Sequence, residues 1–339
     1  MYKRFCFLVL GALFSVLAAR AAIAQSILDV GPSAAYQTIS AAVAVADADT
    51  NLANYYVVEI APGTYTNDFP VVTRPMTIEV DPARAGQAVI LNAASPPPNE
   101  KGILLNIANL TVDGLTFQGA QIDDGLGGNA AGIRDQNLGS PAILIVENSS
   151  FISNQDGILA GNNASQSIYI INSNFINNGN TNVNYFTNAL YVNYIGSLSV
   201  SSSRFCGQLW GQDIKSRATV TNVADNQLYD GQADPALGCQ AGSSSLAIDV
   251  SNGGVATITG NAIIQGPASP NYKMVEYGEE GMLYPSNDLW VSDNTFANTG
   301  SSTAIGIYDP NCTPVQLSGD SFTGIATAVS PSSCVAGSQ

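Results

Sequence analysis

The 339-residue chain has no histidine, and its 11 basic residues face 26 acidic ones. Without an imidazole, histidine-dependent hydrolases and epimerases and the commonest metal-ligand sets are excluded. A formal net charge of −15 removes general binding to nucleic acids or anionic membranes. The longest apolar run, Phe5 to Ala18, is shorter than the roughly 20 residues a membrane span requires, and Arg20 follows it. The five cysteines show no close spacing, so a thiolate metal site is not indicated.

Near the start, Lys3 and Arg4 precede the apolar run, and Ala22-Ile-Ala24 ends it before Gln25. This is the pattern of a cleaved secretory signal over residues 1–24, and a secreted or periplasmic protein without a stable membrane span is expected. Losing Lys3, Arg4 and Arg20 leaves 11 − 3 = 8 basic against 26 acidic residues, a net charge of −18. The remaining residues, 25–339, are long enough for one domain.

The phrase Ile143-Leu-Ile-Val-Glu-Asn-Ser-Ser-Phe151 returns as Ile168-Tyr-Ile-Ile-Asn-Ser-Asn-Phe175 and as Leu198-Ser-Val-Ser-Ser-Ser-Arg-Phe205. Weaker copies end at Phe117, Leu228, Ile263, Phe296 and Phe322, at spacings of 34, 24, 30, 23, 35, 33 and 26 residues. Three residues before each stand Gly114, Asn148, Asn172, Ser202, Asp225, Gly260, Asp293 and Gly319, mostly types that tolerate a left-handed backbone. One position further on, Ser149, Ser173, Ser203, Asn226, Asn261, Asn294 and Asp320 could hydrogen-bond from turn to turn. A recurring strand, bend and stacking column at this period predict a β-solenoid of about ten turns. Cys6 leaves with the signal; of the three pairings open to the other four cysteines, Cys206–Cys239 and Cys312–Cys334 each span about one turn and are preferred.

A short helix over 36–45, carrying Ile39, Val43 and Val45, is expected to cap the open sheet edge at the start. Its Tyr36-x-Thr-Ile-x-x-Ala-Val43 pattern, the strand Ile60-Ala-Pro-Gly-Thr-Tyr65 and the turn Leu110-Thr-Val-Asp-Gly-Leu-Thr-Phe117 resemble the pectin-lyase-like superfamily. That resemblance implies an all-β, right-handed parallel β-helix. It says little of function, because this fold hosts lyases, hydrolases, esterases and adhesins.

A second strand in each turn aligns as Gly132-Ile-Arg-Asp, Gly157-Ile-Leu-Ala, Ala189-Leu-Tyr-Val, Asp213-Ile-Lys-Ser-Arg217, Ala247-Ile-Asp-Val, Met274-Val-Glu-Tyr and Ala304-Ile-Gly-Ile. With the second position inward, alternation sends Arg134, Leu159, Tyr191, Lys215, Asp249, Glu276 and Gly306 outward in a column. Lys215, Asp249 and Glu276 then form a charged ladder, with Asp213 and Arg217 on the same face. Insertions at 121–141, 176–188, 232–245, 265–273 and 281–287 are expected to wall one side of it. Asp123-Asp124 and Glu279-Glu280, set among glycines, are expected to be solvated turns.

Three of the eight basic residues after position 24, Arg204, Lys215 and Arg217, fall within 14 residues of sequence. Elimination on a uronate glycan needs a cation at the sugar carboxylate, a base, and a proton donor to the leaving oxygen. The segment Asp213-Ile-Lys-Ser-Arg217 resembles that around the base lysine of alginate- and chondroitinase-B-type lyases. By that resemblance Lys215 is the base, and Asp249 with Glu276 are Ca2+ ligands or partners of the lysine, although the sequence requires no cofactor; the basic cluster and the outer face add Arg217 as the second catalytic residue and Asp213, Tyr191 and Arg204 as substrate-binding residues. Those lyases carry an arginine one turn further on, where this chain has Asp249. Two functions follow: a polysaccharide lyase, or a non-catalytic solenoid binding an acidic polysaccharide, in either case a monomer.

Overall fold

A computed structural model describes residues 25–180, 182, 186–300 and 303–336; the expected signal, 1–24, lies outside them. The strands form three sheets of eleven, ten and ten strands, here A, B and C, with every neighbouring pair parallel. After Gln25–Val30, an extra first strand of sheet A, the chain visits A, B and C in strict rotation ten times. This is a parallel β-helix, and twisted parallel strands impose a right-handed crossover.

The repeat phrases run along sheet A, bend, and enter sheet B. All eight bend positions have positive φ, from +47° at Asn172 to +77° at Gly114. The bend turns the chain within one residue, so the large apolar residue three positions later always points into the coil. Phe117, Phe151, Phe175, Phe205, Leu228, Ile263, Phe296 and Phe322 consequently form one in-register column. Rings 117 to 205 stack face to face with centroids 5.3, 4.8 and 4.5 Å apart. Burying each ring is worth about 1.5–3 kcal/mol and the stacking about 0.5–1.5 more.

Beside this column the strands of sheet C need small residues. A Cβ on Gly157 would lie 2.3 Å from the Ala189 carbonyl oxygen and 2.8 Å from the Phe175 ring. On the other flank the polar column links the coils: the backbone N–H groups of Ser149, Ser173, Ser203, Asn226, Asn261 and Asn294 each donate to the next turn's side chain at 2.9 to 3.2 Å. At these six bends a buried donor that would otherwise be orphaned is thereby satisfied.

Helix α1 spans Ile39–Ala48 and begins three residues later than expected, because Thr38 caps it and Tyr36 still bridges to Val30. Asp68 accepts from the N–H groups of Ile39 and Ser40, a favourable charge at the helix start. The buried stripe is Ile39, Ala42, Val43 and Ala46, whereas Val45 is exposed. Cys206–Cys239 and Cys312–Cys334 are both bonded.

Candidate functional site

On sheet C, Ile133, Ile158, Leu190, Ile214, Ile248 and Val275 are fully buried and in register, so the residue after each faces out. The outer column runs Arg134, Leu159, Tyr191, Lys215, Asp249, Glu276 and then Tyr308. Tyr308 replaces the expected Gly306: Ile307, not Ile305, pairs with Val275, so that strand is shifted by two residues.

Lys215 Nζ lies 2.9 Å from Asp249 Oδ2 and 2.8 Å from Glu280 Oε1. The other oxygen of Glu280 is 2.5 Å from Arg217 Nη2, and Arg217 also donates to the Tyr194 hydroxyl at 2.9 Å. Both cations lie over the Tyr191 ring, at 5.9 and 5.8 Å, in the range of cation–π attraction. Burial pulls the Lys215 ammonium down, but Asp249 and Glu280 outweigh it and raise its pKa above the ordinary lysine value. Burial pushes the Asp249 carboxyl up against the pull of Lys215, because it is the more deeply buried partner.

A second cluster adjoins the first. Lys273 pairs with Glu276 and, at 3.3 Å, with Glu279, and lies 4.0 Å over the Tyr308 ring. Burial, then the neighbouring Glu279, pushes the Glu276 carboxyl well up. Glu279 and Glu280 lie in the exposed turn expected of them, and from it their side chains straddle the ladder, one on each cation cluster.

They reach it because the loop after Lys273–Tyr277 folds back over earlier coils. Glu280 N donates to Ser251 O, Leu283 N to Asn252 O, and the Tyr284 hydroxyl to the Arg217 carbonyl. Segment 281–287 thus follows the sheet C strand, on the side opposite the insertions that precede it, and the face has a wall on each side. On the preceding side Phe186 stacks on Trp210 at 5.0 Å.

Two expected site residues are placed elsewhere. Asp213 is fully buried: its position, like Gly132 and Gly157, turns toward the aromatic column and not onto the outer face. Neither carboxylate oxygen has a hydrogen-bond partner, and burial together with nearby Asp230 raises its pKa well above the carboxylate range. Arg204 extends from sheet B and pairs with Asp234 at 2.5 Å, apart from Lys215. Asp249 and Glu276 are adjacent, yet among the described residues no group of three His, Cys, Asp or Glu could hold a metal ion.

Tyr194, Lys273, Glu280 and Tyr308 were missed. The signal for Glu280 was a pair of carboxylates between Gly278 and Gly281, near in fold to a basic strand 65 residues earlier.

The architecture is a three-sheet parallel β-helix, as the order of the strands itself shows. No protein-family model and no curated protein matches the chain. Among solved structures it is similar to the pectin methylesterase of Aspergillus niger in deglycosylated form, at 11% identity and a TM-score of 0.37 over 81% of this chain and 86% of that one. A second form of that enzyme, retaining an N-acetylglucosamine stub, matches at the same identity and TM-score over 81% and 85%.

Proposed function

We propose that this protein works outside the cytoplasm and recognises an acidic, uronate-bearing glycan on the outer face of sheet C. The observation that carries this reading is the Lys215–Arg217 pair: two cations within reach of one carboxylate, beside the rings of Tyr191 and Tyr194, in a strongly acidic chain. A polyanion approaching such a chain is repelled at long range, so attraction must come from a local cation cluster within about the 8 Å screening length at physiological salt. Flat tyrosine faces suit the C–H faces of sugar rings, as aromatic side chains supply large contact area at little entropic cost. Two disulfides fit an oxidising destination.

β-Elimination is the second reading. It asks Lys215 to act as a base, and the raised pKa of Lys215 favours the protonated cation instead, a state suited to holding a carboxylate. Recognition is therefore the better-supported role.

A panel of acidic and neutral polysaccharides tests both readings. Binding confined to acidic glycans, weakened by salt and weakened about tenfold by Arg217→Gln, is expected. Release of unsaturated uronate, followed by its absorbance, would make the protein a lyase. Equal binding of neutral and acidic glycans, or indifference to Arg217→Gln, would remove the site from recognition.

A further inference from the structure

We infer that Lys215 and Arg217 form a built carboxylate-binding site whose resident occupant is Glu280, and that an incoming carboxylate takes its place by displacing that side chain. The identification of this ligand as a glycan uronate rests on the function proposed above.

Each oxygen of Glu280 has its own cation, Oε1 on Lys215 at 2.8 Å and Oε2 on Arg217 at 2.5 Å. That is the two-point recognition a free carboxylate would receive. The layering is also telling: the Lys215 and Arg217 side chains are 12% and 18% exposed, and that of Glu280 40%. A ligand arriving from solvent meets the carboxylate first and the cations only after it has moved.

The attachment of Glu280 suits an exchange. Its loop turns between Gly278 and Gly281, both at positive φ (+70° and +101°), with Gly281 N donating to Gly278 O at 3.1 Å. The Glu280 backbone is anchored by its bond to Ser251 O at 3.0 Å, so the side chain can leave while the loop stays. Lys215 keeps Asp249, which is buried and further held by Ser251 at 2.8 Å, and Arg217 keeps the Tyr194 hydroxyl. Swapping one carboxylate for another therefore leaves the charge of the cluster unchanged. Electrostatics oppose simple loss of Glu280 but not its replacement, which makes the site selective for carboxylates over neutral ligands.

A tethered competitor acts at an effective concentration of order mM, so its removal should raise affinity for an external carboxylate about tenfold or more. Two arms test this. In the first, Glu280→Ala and the parent are melted in acetate and in chloride at equal ionic strength; acetate should raise the Tm of the variant and leave the parent unmoved. An equal response of both proteins overturns the carboxylate site. In the second, oligogalacturonate is titrated into the parent and into Glu280→Gln, which should bind about tenfold more tightly, with the gain abolished by adding Arg217→Gln. Binding by Glu280→Gln no tighter than by the parent overturns displacement. Should acetate rescue Glu280→Ala while no acidic oligosaccharide binds either protein, the carboxylate site stands and the glycan reading falls.

Discussion

The aromatic and polar columns inside the coil and the charged column on the outer face of sheet C are built on the same scaffold, one residue per turn, yet they differ in what they ask of the chain. Inside, each turn contributes the same kind of residue, so every contact is local: Phe175 needs only Phe151 and Phe205. Outside, the column changes character at each step, from Tyr191 to Lys215 to Asp249 to Glu276. It is completed by Glu280, which lies 65 residues beyond the lysine it pairs with. Repetition marks what holds the molecule together, and departure from it marks what the scaffold carries.

The largest test of that contrast is Phe175→Ala. It opens a cavity in the middle of the ring stack and should cost about 3–5 kcal/mol in denaturant unfolding. A loss below 1 kcal/mol would mean that the column does not bear the stability assigned to it. Breaking Cys206–Cys239 with a double alanine variant should cost roughly 3–4 kcal/mol, since its sequence separation is 33 residues, by the same measurement. In the polar column, Asn261→Ala strips the Asn226 N–H of its acceptor and should cost about 1–3 kcal/mol.

Asp213 breaks the pattern from within, being a carboxyl placed where other turns carry Gly or Ala. With Asp135 and Asp230 pushed up to about 6 and Asp156 to about 7, all chiefly by burial, it belongs to a set of acids that fold more readily protonated. The folded pKa values lie above the unfolded ones, so the native state binds more protons across that window. Their contribution is full below about pH 4 and is lost as pH rises through about 6 to 7. Since burial raises the Asp213 carboxyl well above its ordinary value, Asp213→Asn should flatten this dependence and raise stability at neutral pH relative to the parent, read by denaturant unfolding. An unchanged pH profile would show that Asp213 does not titrate in this range. The smallest effect is expected of Arg217→Gln, about 1 kcal/mol or less, because the half-open pair is screened by solvent. Its influence should fall on glycan affinity instead, the reverse of Phe175→Ala.

The sequence by itself determined what repeats. A left-handed bend followed by a large apolar residue leaves a mark at every turn, and it yielded the coil, the aromatic column, the Ser/Asn ladder and both disulfide pairings, since each depends on residues one turn apart. It also determined the Lys215–Asp249–Glu276 neighbourhood, by alternation from Ile214, Ile248 and Val275. Three features lay beyond it. Asp213 is buried where strict alternation sends it out, because its position in the strand Gln212–Ser216 matches those of Gly132 and Gly157, which lie against the aromatic column. Tyr308 takes the place expected for Gly306 through a shift of two residues, which a strand with apolar residues at both Ile305 and Ile307 leaves undecided. Glu280 reaches its cations only because the 278–287 loop folds back across two earlier coils, a path set by Ser251, Asn252 and the Arg217 carbonyl. Contacts between neighbouring turns are written in the period of the chain, whereas a loop that crosses turns has no period, and only the packed structure decides where its charges land.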